Sequence, residues 1–255
     1  MFFHDICNSK SMTKKIQKFL PSKLQIVETE STRGGIVGTE VGISRERVLL
    51  AMFQVLLGEK RVVVDISSIE REVDVIIDGL PISIKTAKSQ ATQAFREIKL
   101  SWCGDVDLCI KTFEDFVPTI PIMFLCINWN ENFRPKKGSA YHSKRWRNEG
   151  AIYFFPVNVQ IDVLNQVGKE NFLRIPTRGT YSKGVSIKRK ATIQMIDHPD
   201  TLSISLPCIW DDNLELHSRD RWMKSWRDSL KFKNIIYHEM KNLFSSIKIR
   251  GLKFG

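Results

Sequence analysis

The sequence predicts a mixed α/β fold, and three patterns carry that prediction. Residues 72–88 contain two short β-branched runs around an Asp-Gly-Leu-Pro turn, which is typical of a β-hairpin. Residues 44–57 begin with a capping serine and continue into an apolar run that stops at Gly58, which is typical of a helix. Residues 120–129 are apolar almost throughout, as in a fully buried strand.

The predicted hairpin has one apolar face and one charged face. A two-residue loop at Gly79-Leu80 suits a type II′ turn, because Gly is favoured at its first position. This register places Asp74 directly across from Lys85. Side chains alternate along a strand, so Asp74, Ser83 and Lys85 share one face and the β-branched side chains share the other. The apolar face can pack on a core, while the opposite face brings a carboxylate and an ammonium together.

The pair formed by Asp74 and Lys85 has two interpretations. It can be an exposed cross-strand ion pair, which contributes about 0.2–1 kcal/mol. It can also be part of a metal-dependent phosphodiesterase centre, in which the carboxylate holds Mg²⁺ and the lysine contacts the attacking water or the phosphate. The hairpin by itself leaves both open.

Glu46 is a second acid of interest, because it lies on the apolar side of the predicted helix. Leu49, Leu50 and Phe53 follow it at helical spacing, so all four residues share a face. One interpretation is an acid in the first helical turn, favoured there by the helix dipole. The other is an inward carboxylate that a metal ion neutralises.

Composition indicates a single large domain, or a core with a recognition subdomain, that binds a polyanion. The chain has 255 residues, 42% of them apolar and 26% charged, and a net charge of +11. Such a basic excess favours nucleic acid as the partner. There is no signal peptide, lipidation motif or apolar span of about 20 residues, so we expect a cytoplasmic protein without membrane contact. The 5 cysteines are scattered and never spaced C-x-x-C, which argues against a zinc site and a disulfide framework.

Two basic segments are candidate DNA-recognition loops inserted in this domain. They are residues 133–149 and 174–190, and each holds six Lys or Arg residues. Such segments suit phosphate contacts, and Arg also suits guanine edges; the alternative is that they are solvated loops. Their candidate DNA-binding residues are Arg134, Lys136, Lys137, Lys144, Arg145, Arg147, Arg178, Lys183 and Lys188.

The remaining elements are predicted from shorter patterns. Further strands are predicted at residues 24–28, 61–65, 105–110, 151–159, 192–195 and 202–208. Further helices are predicted at residues 12–20, 89–100 and 162–172, and in two C-terminal stretches, 221–226 and 237–247.

Glu46, Val73-Asp74 and Ser83-Ile84-Lys85 together resemble the motif of the PD-(D/E)xK nuclease superfamily, in particular type II restriction endonucleases. The resemblance covers roughly residues 40–100, and the spacing of its three charged residues is similar to that of the ThaI enzymes. Two positions depart from the motif, since Val73 stands for the common Pro and Ser83 for the acid of the (D/E)xK element.

The acid that Ser83 lacks has to come from elsewhere. Family members with a substituted acid recruit one, often from the helix, which implies Glu46. Glu72 shares the Asp74 face and stays an alternative, and Asp78 is a lesser one.

The resemblance implies a central mixed β-sheet flanked by helices and one nuclease domain over residues 1–255. It implies Mg²⁺ held by Asp74, Glu46 and the carbonyl of Ile84, with Lys85 as the third catalytic residue. Lys88, Ser89 and Gln90, at a predicted helix start, would contact the phosphate, because helix N-termini favour anions.

The expected function is therefore Mg²⁺-dependent cleavage of double-stranded DNA at a short palindromic site by a homodimer. Two other functions stay open at this point. One is a non-catalytic DNA- or RNA-binding protein, and the other is a resolvase or repair nuclease of the same fold that recognises DNA structure.

Overall fold

A six-stranded sheet lies at the centre of the fold. The computed structural model describes residues 2–33, 38–64, 72–88, 97–101, 106–129, 150–174 and 184–210. The strands are β1 (Val62–Val63), β2 (Val75–Ile77), β3 (Leu80–Lys88), β4 (Ile98–Lys99), β5 (Ile122–Ile127), β6 (Gly150–Phe155), β7 (Leu173–Arg174), β8 (Ser186–Ile187) and β9 (Leu202–Ser205). The helices are α1 (Phe2–Asn8), α2 (Lys10–Arg33), α3 (Gly38–Leu57), α4 (Val106–Glu114), α5 (Val157–Val167), α6 (Lys169–Phe172) and α7 (Arg189–Asp197), with a 3₁₀ turn at Glu59–Arg61.

The strand order of the central sheet is β1-β2-β3-β5-β6-β9. Strands β3 and β5 run parallel, and the other neighbours are antiparallel. A smaller antiparallel sheet has the order β4-β8-β7. The predicted mixed α/β fold, with a central mixed sheet flanked by helices, is confirmed.

Each face of the central sheet is covered by its own apolar core. On one face, Ile84 and Leu125 pack in a cluster with buried residues of α1, α2 and α3. On the other face, Phe124 and Tyr153 pack with buried residues of α5, α6 and α7. Strands β5 and β6 are buried on both faces, which is why their sequences are continuously apolar.

The turn of the β2–β3 hairpin differs from the predicted one. Its central residues are Asp78 and Gly79, with φ of 52° and 78°, so both adopt the left-handed conformation of a type I′ Asp-Gly turn. The loop prediction at Gly79-Leu80 is wrong: the register pairs Val75 with Ile82, and Asp74 N donates to Ile82 O, so Lys85 does not lie directly opposite Asp74. The correction shifts the pairing by two residues, so the predicted faces are unchanged.

Helix α3 begins earlier than predicted, at Gly38 instead of Ser44. Glu46 therefore lies more than two turns inside the helix, and the first-turn dipole does not explain an acid there. A Cβ on Gly42, one turn before Glu46, would lie 3.7 Å from Oγ1 of Thr86. The helix thus approaches β3 closely at the turn next to Glu46.

Helix α2 replaces a predicted short helix and strand. We expected Pro21 to end a helix and residues 24–28 to form a strand, but the helix continues through Pro21 to Arg33. Leu20, Leu24 and Val27 are buried at helical spacing. Burying such side chains contributes about 1.5–3 kcal/mol each, which is enough to offset the roughly 3 kcal/mol cost of a proline inside a helix.

Other short patterns were assigned to the wrong element. Residues 105–110 and 192–195 were predicted as strands, but 106–110 and 192–195 are helical, in α4 and α7, and Ile98–Lys99 is a strand inside a predicted helix. Pro156 ends β6 and caps α5, so the strand predicted over residues 151–159 is too long. The strands predicted at 61–65, 120–129 and 202–208 are confirmed with shorter bounds.

Some predictions lie wholly or partly outside the described residues. The basic segment 133–149 and both C-terminal helices belong here. The segment 174–190 is described only at its ends, where it contributes to β7, β8 and the start of α7 and is not a simple loop. Over the ranges given above, no helix combines the length and apolar character needed to cross a membrane.

Candidate active site

The carboxylate of Asp74 lies at the end of β2, where β3 continues beyond its partner. Strand β3 pairs with β2 over its first residues and with β5 from Ser83 onward. Beyond the last β2 bond, in which Asp74 N donates to Ile82 O at 3.0 Å, the edge of β3 is left to the Asp74 side chain. This part of the β3 edge is open because β3 is longer than β2.

Three donors converge on one oxygen of Asp74. Its Oδ2 accepts hydrogen bonds from Ile84 N at 2.6 Å and from Ser83 Oγ at 3.1 Å. The ammonium of Lys85 lies 3.5 Å from the same oxygen. Among the described residues no hydrogen bond to Oδ1 is seen, so this second oxygen is available to a ligand.

The bond from Ile84 N also shows where the carboxylate lies. Backbone N–H groups of a strand point along the sheet toward the neighbouring strand, so the Asp74 carboxylate occupies the place of a β2 residue in the plane of the sheet. The N–H and C=O groups of one strand residue point toward the same edge, so the Ile84 carbonyl faces this edge as well. The site therefore opens at the strand edge and can be reached from the side of α3.

Glu46 reaches this site from helix α3. Burial and, to a smaller extent, the negative charge of Asp74 raise the pKa of its carboxyl to about 7, against the opposing effect of Lys85 and Arg47. Because Asp74 and Lys85 both act on Glu46, the structure brings together the three predicted catalytic residues.

The alternatives to Glu46 are placed differently. Glu72 is exposed and lines a cleft that Ser83 and Lys85 also line. Asp78 lies in the turn, where both carboxylate oxygens accept from Arg61 at 2.6 Å. The structure therefore leaves Glu46 and Glu72 as candidates and removes Asp78.

The oxygen atoms at this edge fit a hard divalent cation. The carboxylate of Asp74 lies close enough to raise the pKa of Glu46, and these two carboxylates with the Ile84 carbonyl form a donor set that suits Mg²⁺, which retains water as its other ligands. Within the described ranges, no group of three or more His, Cys, Asp or Glu side chains is arranged to hold a metal. Asp74 and Glu46 are the two carboxylates that the described residues bring to this edge.

A cleft opens on the other side of Lys85. Glu72, Ser83 and Lys85 form its polar wall, and the rest is largely apolar, including Phe116. Gln160, at its base, donates to Ile120 O at 2.9 Å and is buried. The cleft gives solvent and ligands a route to the lysine.

A second group of charges, missed by the sequence reasoning, links α2, α3 and the end of β3. Glu28 on α2 accepts two hydrogen bonds from the guanidinium of Arg45 on α3, one of them from Nε at 2.7 Å. Its other oxygen accepts from Lys88 Nζ at 3.1 Å. In the sequence, Glu28 is an acid that directly follows apolar residues. Because residues 24–28 were predicted as a strand, the residues that share its helical face were not identified.

The predicted DNA-binding residues are only partly described. Lys88 is paired with Glu28, and Lys188 donates from its ammonium to the backbone carbonyl of Glu170. The following lie outside the described residues: Ser89, Gln90, Arg134, Lys136, Lys137, Lys144, Arg145, Arg147, Arg178 and Lys183.

A mixed sheet flanked by helices, with Asp74 and Lys85 on a hairpin and an acid on the preceding helix, is the arrangement of a PD-(D/E)xK nuclease. The sequence model of the family described as restriction endonuclease ThaI matches residues 6–228. The chain belongs to this family, and it is an endodeoxyribonuclease of the type II restriction class.

A solved structure supports the same assignment. It is described as a restriction endonuclease in complex with substrate DNA, and it superposes with a TM-score of 0.71 at 29% sequence identity. The match covers 89% of this chain and 100% of the other. A comparison with curated proteins found no match.

Proposed function

We propose that this chain is a cytoplasmic, Mg²⁺-dependent endonuclease that cuts double-stranded DNA at a short palindromic site as a homodimer. Asp74, Glu46 and Lys85 are its catalytic residues. The observation that carries the proposal is the group of three donors, including the Lys85 ammonium at 3.5 Å, on one oxygen of Asp74 beside a second, buried acid.

Asp74 and Glu46 hold the metal, with the Ile84 carbonyl as a third ligand. The donors on Oδ2 fix the Asp74 carboxylate and leave Oδ1 to face the cation. When bound, Mg²⁺ neutralises charge on the phosphate and lowers the pKa of a coordinated water. Because the pKa of Glu46 in the free protein is raised to about 7, a metal would displace a proton near neutral pH, and the cation would offset the cost of placing a second negative charge beside Asp74.

Lys85 acts on the attacking water and on the phosphate. Its ammonium is held beside Asp74 and also lines the cleft, so it can contact both. As the water oxygen forms its bond to phosphorus and the bond to the leaving oxygen breaks, a fixed cation stabilises the charge on the phosphoryl oxygens. Ser83 contributes indirectly, because its hydroxyl orients the Asp74 carboxylate.

Double-stranded DNA as substrate is supported by the charge of the chain and by its solved relative. The net charge is +11, and the relative was solved with its substrate DNA. We propose that Lys88, Lys188 and the basic residues of segments 133–149 and 174–190 contact this DNA. A palindromic site follows from two copies of one chain, each cutting one strand.

The test is cleavage of plasmid DNA of known sequence by the purified protein in Mg²⁺. Discrete bands are expected, and EDTA should abolish them. Asp74→Ala and Lys85→Ala should each reduce the cleavage rate by at least about 100-fold, the effect typical of losing one stabilising group, while DNA binding is retained.

Asp78→Asn is the matched control, because it changes an acid of the same hairpin that lies in the turn. It should cut at the wild-type rate. Wild-type cutting by Asp74→Ala or Lys85→Ala would contradict the catalytic assignment. Cutting that follows DNA shape and not sequence would replace the palindromic site with structural specificity.

A further inference from the structure

Glu28 is a buried acid outside the site described above. Its side chain is 8% exposed, and that of Arg45 is 10% exposed. Burying charges is costly unless they are paired, and Glu28 is paired with cations from two other elements. One carboxylate thus joins α2, α3 and β3.

The two cations lie next to the proposed catalytic residues along the chain. Arg45 immediately precedes Glu46 on α3, and Lys88 follows Lys85 on β3 by three residues. Successive helical residues are about 100° apart around the axis, so anchoring Arg45 to α2 fixes the rotation of α3 and the direction of Glu46. Lys88 lies on the Ile84 side of β3, toward α2 and α3, because side chains alternate along a strand.

We infer that Glu28 is a positioning residue of the catalytic centre. Its carboxylate sets helix α3, which carries Glu46, against strand β3, which leads to Lys85 and Ile84. The inference rests on the proposed function, because it takes Glu46 and Asp74 as the metal ligands. It predicts that loss of the Glu28 contacts weakens metal binding although Glu28 itself does not touch the metal.

Binding of Mn²⁺, followed by loss of the electron paramagnetic resonance signal of the free ion, tests this without DNA or cleavage. Glu28→Gln keeps the side-chain volume and removes the charge. Its dissociation constant for Mn²⁺ should rise about tenfold, the low end of the effect seen when residues that support metal ligands are changed. In Mg²⁺ cleavage assays, kcat should fall at limiting metal and recover at high metal.

Arg45→Lys is the second variant, because Glu28→Gln leaves a buried guanidinium without its anion. It keeps the positive charge but loses the forked contact to Glu28, and its Mn²⁺ dissociation constant should rise several-fold. If circular dichroism shows that Glu28→Gln is unfolded, Arg45→Lys decides. Asp78→Asn is the control, because it also breaks a carboxylate–arginine pair but not one that joins α3 to β3.

The outcomes separate this inference from the proposed function. Folded Glu28→Gln and Arg45→Lys with wild-type Mn²⁺ affinity would overturn the positioning role and leave the metal site intact. A weakening of equal size in Asp78→Asn would also overturn it, because general loss of stability would then account for the effect. If the wild-type protein binds no Mn²⁺, or if Asp74→Asn binds it as the wild type does, the proposed metal site itself fails.

Discussion

Glu28 and Glu46 are acids on neighbouring helices, and both lie on the side of the sheet that α2 and α3 cover, yet they occupy opposite electrostatic settings. Glu28 is bonded to a guanidinium and an ammonium. Glu46 is desolvated beside a second carboxylate, and its pKa is raised to about 7. The charge of the first acid is neutralised by two cations of the protein, while Lys85 and Arg47 offset that of the second only in part, so its pKa stays raised.

The difference distinguishes a structural acid from the acid that we propose as a metal ligand. Arg45 and Glu46 are consecutive on α3, so their side chains point in different directions. Arg45 forms the buried pair with Glu28, and Glu46 lies beside Asp74 at the proposed metal site. Removing the charge should therefore have opposite consequences at the two positions. It should destabilise the protein at Glu28 and stabilise the metal-free protein at Glu46.

The largest effect is expected for the stability of Glu28→Gln. Removing one member of a buried ion pair leaves an unpaired buried charge, here on Arg45, and costs about 3–5 kcal/mol. Urea denaturation followed by circular dichroism should show that loss in the free energy of unfolding. A double variant, Glu28→Gln with Arg45→Met, should recover part of it, and no recovery would contradict a charge-based cause.

The same comparison explains which parts of the site could be predicted from sequence. The sequence could place Asp74 and Lys85 on one face because side chains alternate along a strand. The true register differs from the predicted one by two residues, and a shift by an even number leaves the faces unchanged. Glu46 was found because its apolar neighbours repeat at helical spacing. Glu28 was not found, because Pro21 appeared to end the helix, and only the packing of α2 on the core shows that it continues.

The secondary structure of short segments was also difficult to predict from the sequence, because it too depends on packing. Residues 105–110 alternate in polarity, as a strand does, but six residues are too few to separate a strand from a helix by period. In the structure they contribute to α4, where Cys109 is buried and Phe113 packs on the core. The contacts that decide such segments come from residues distant in sequence.

The second expected effect concerns which acid completes the metal site. Glu46→Gln should lower the rate of DNA cleavage in Mg²⁺ by about 100-fold, equivalent to about 2.7 kcal/mol, because it removes a metal ligand. Glu72→Gln should lower it by less than about threefold, because Glu72 is exposed. Initial rates on a plasmid with one site provide the measurement, and the reverse ranking would assign the role to Glu72.

The third effect is a gain of stability in Glu46→Gln without metal. The folded pKa of about 7 exceeds the ordinary value of 4.5, so between these pH values the folded state binds more protons than the unfolded state. The contribution of Glu46 to the free energy of unfolding of the wild type therefore falls as pH rises from 4.5 to 7. Above pH 7 the variant, which has no such charge, should be more stable by about 1–2 kcal/mol.

Thermal melts in EDTA at pH 5 and pH 8 check this sign. The variant should exceed the wild type at pH 8 and match it closely at pH 5. Mg²⁺ should then narrow the gap at pH 8, because it binds the folded wild type more tightly than the variant. An equal advantage at both pH values would mean that the Glu46 charge is not its cause.

The smallest effect is expected at the hairpin turn, where an acid is paired but exposed. Asp78 and Arg61 have side chains that are 37% and 48% exposed, so solvent screens their interaction. Asp78→Asn should lower the free energy of unfolding by at most about 1 kcal/mol, because exposed ion pairs contribute little. Asn also tolerates the positive φ of 52° at this position, so the type I′ turn is retained.

Urea denaturation at low and high salt measures this contribution. The small difference between Asp78→Asn and the wild type should shrink as salt increases, because salt screens exposed charges. The cost of Glu28→Gln should change much less with salt, since its partners are buried. A loss in Asp78→Asn as large and as insensitive to salt as that in Glu28→Gln would show that burial does not distinguish the two carboxylate–arginine pairs.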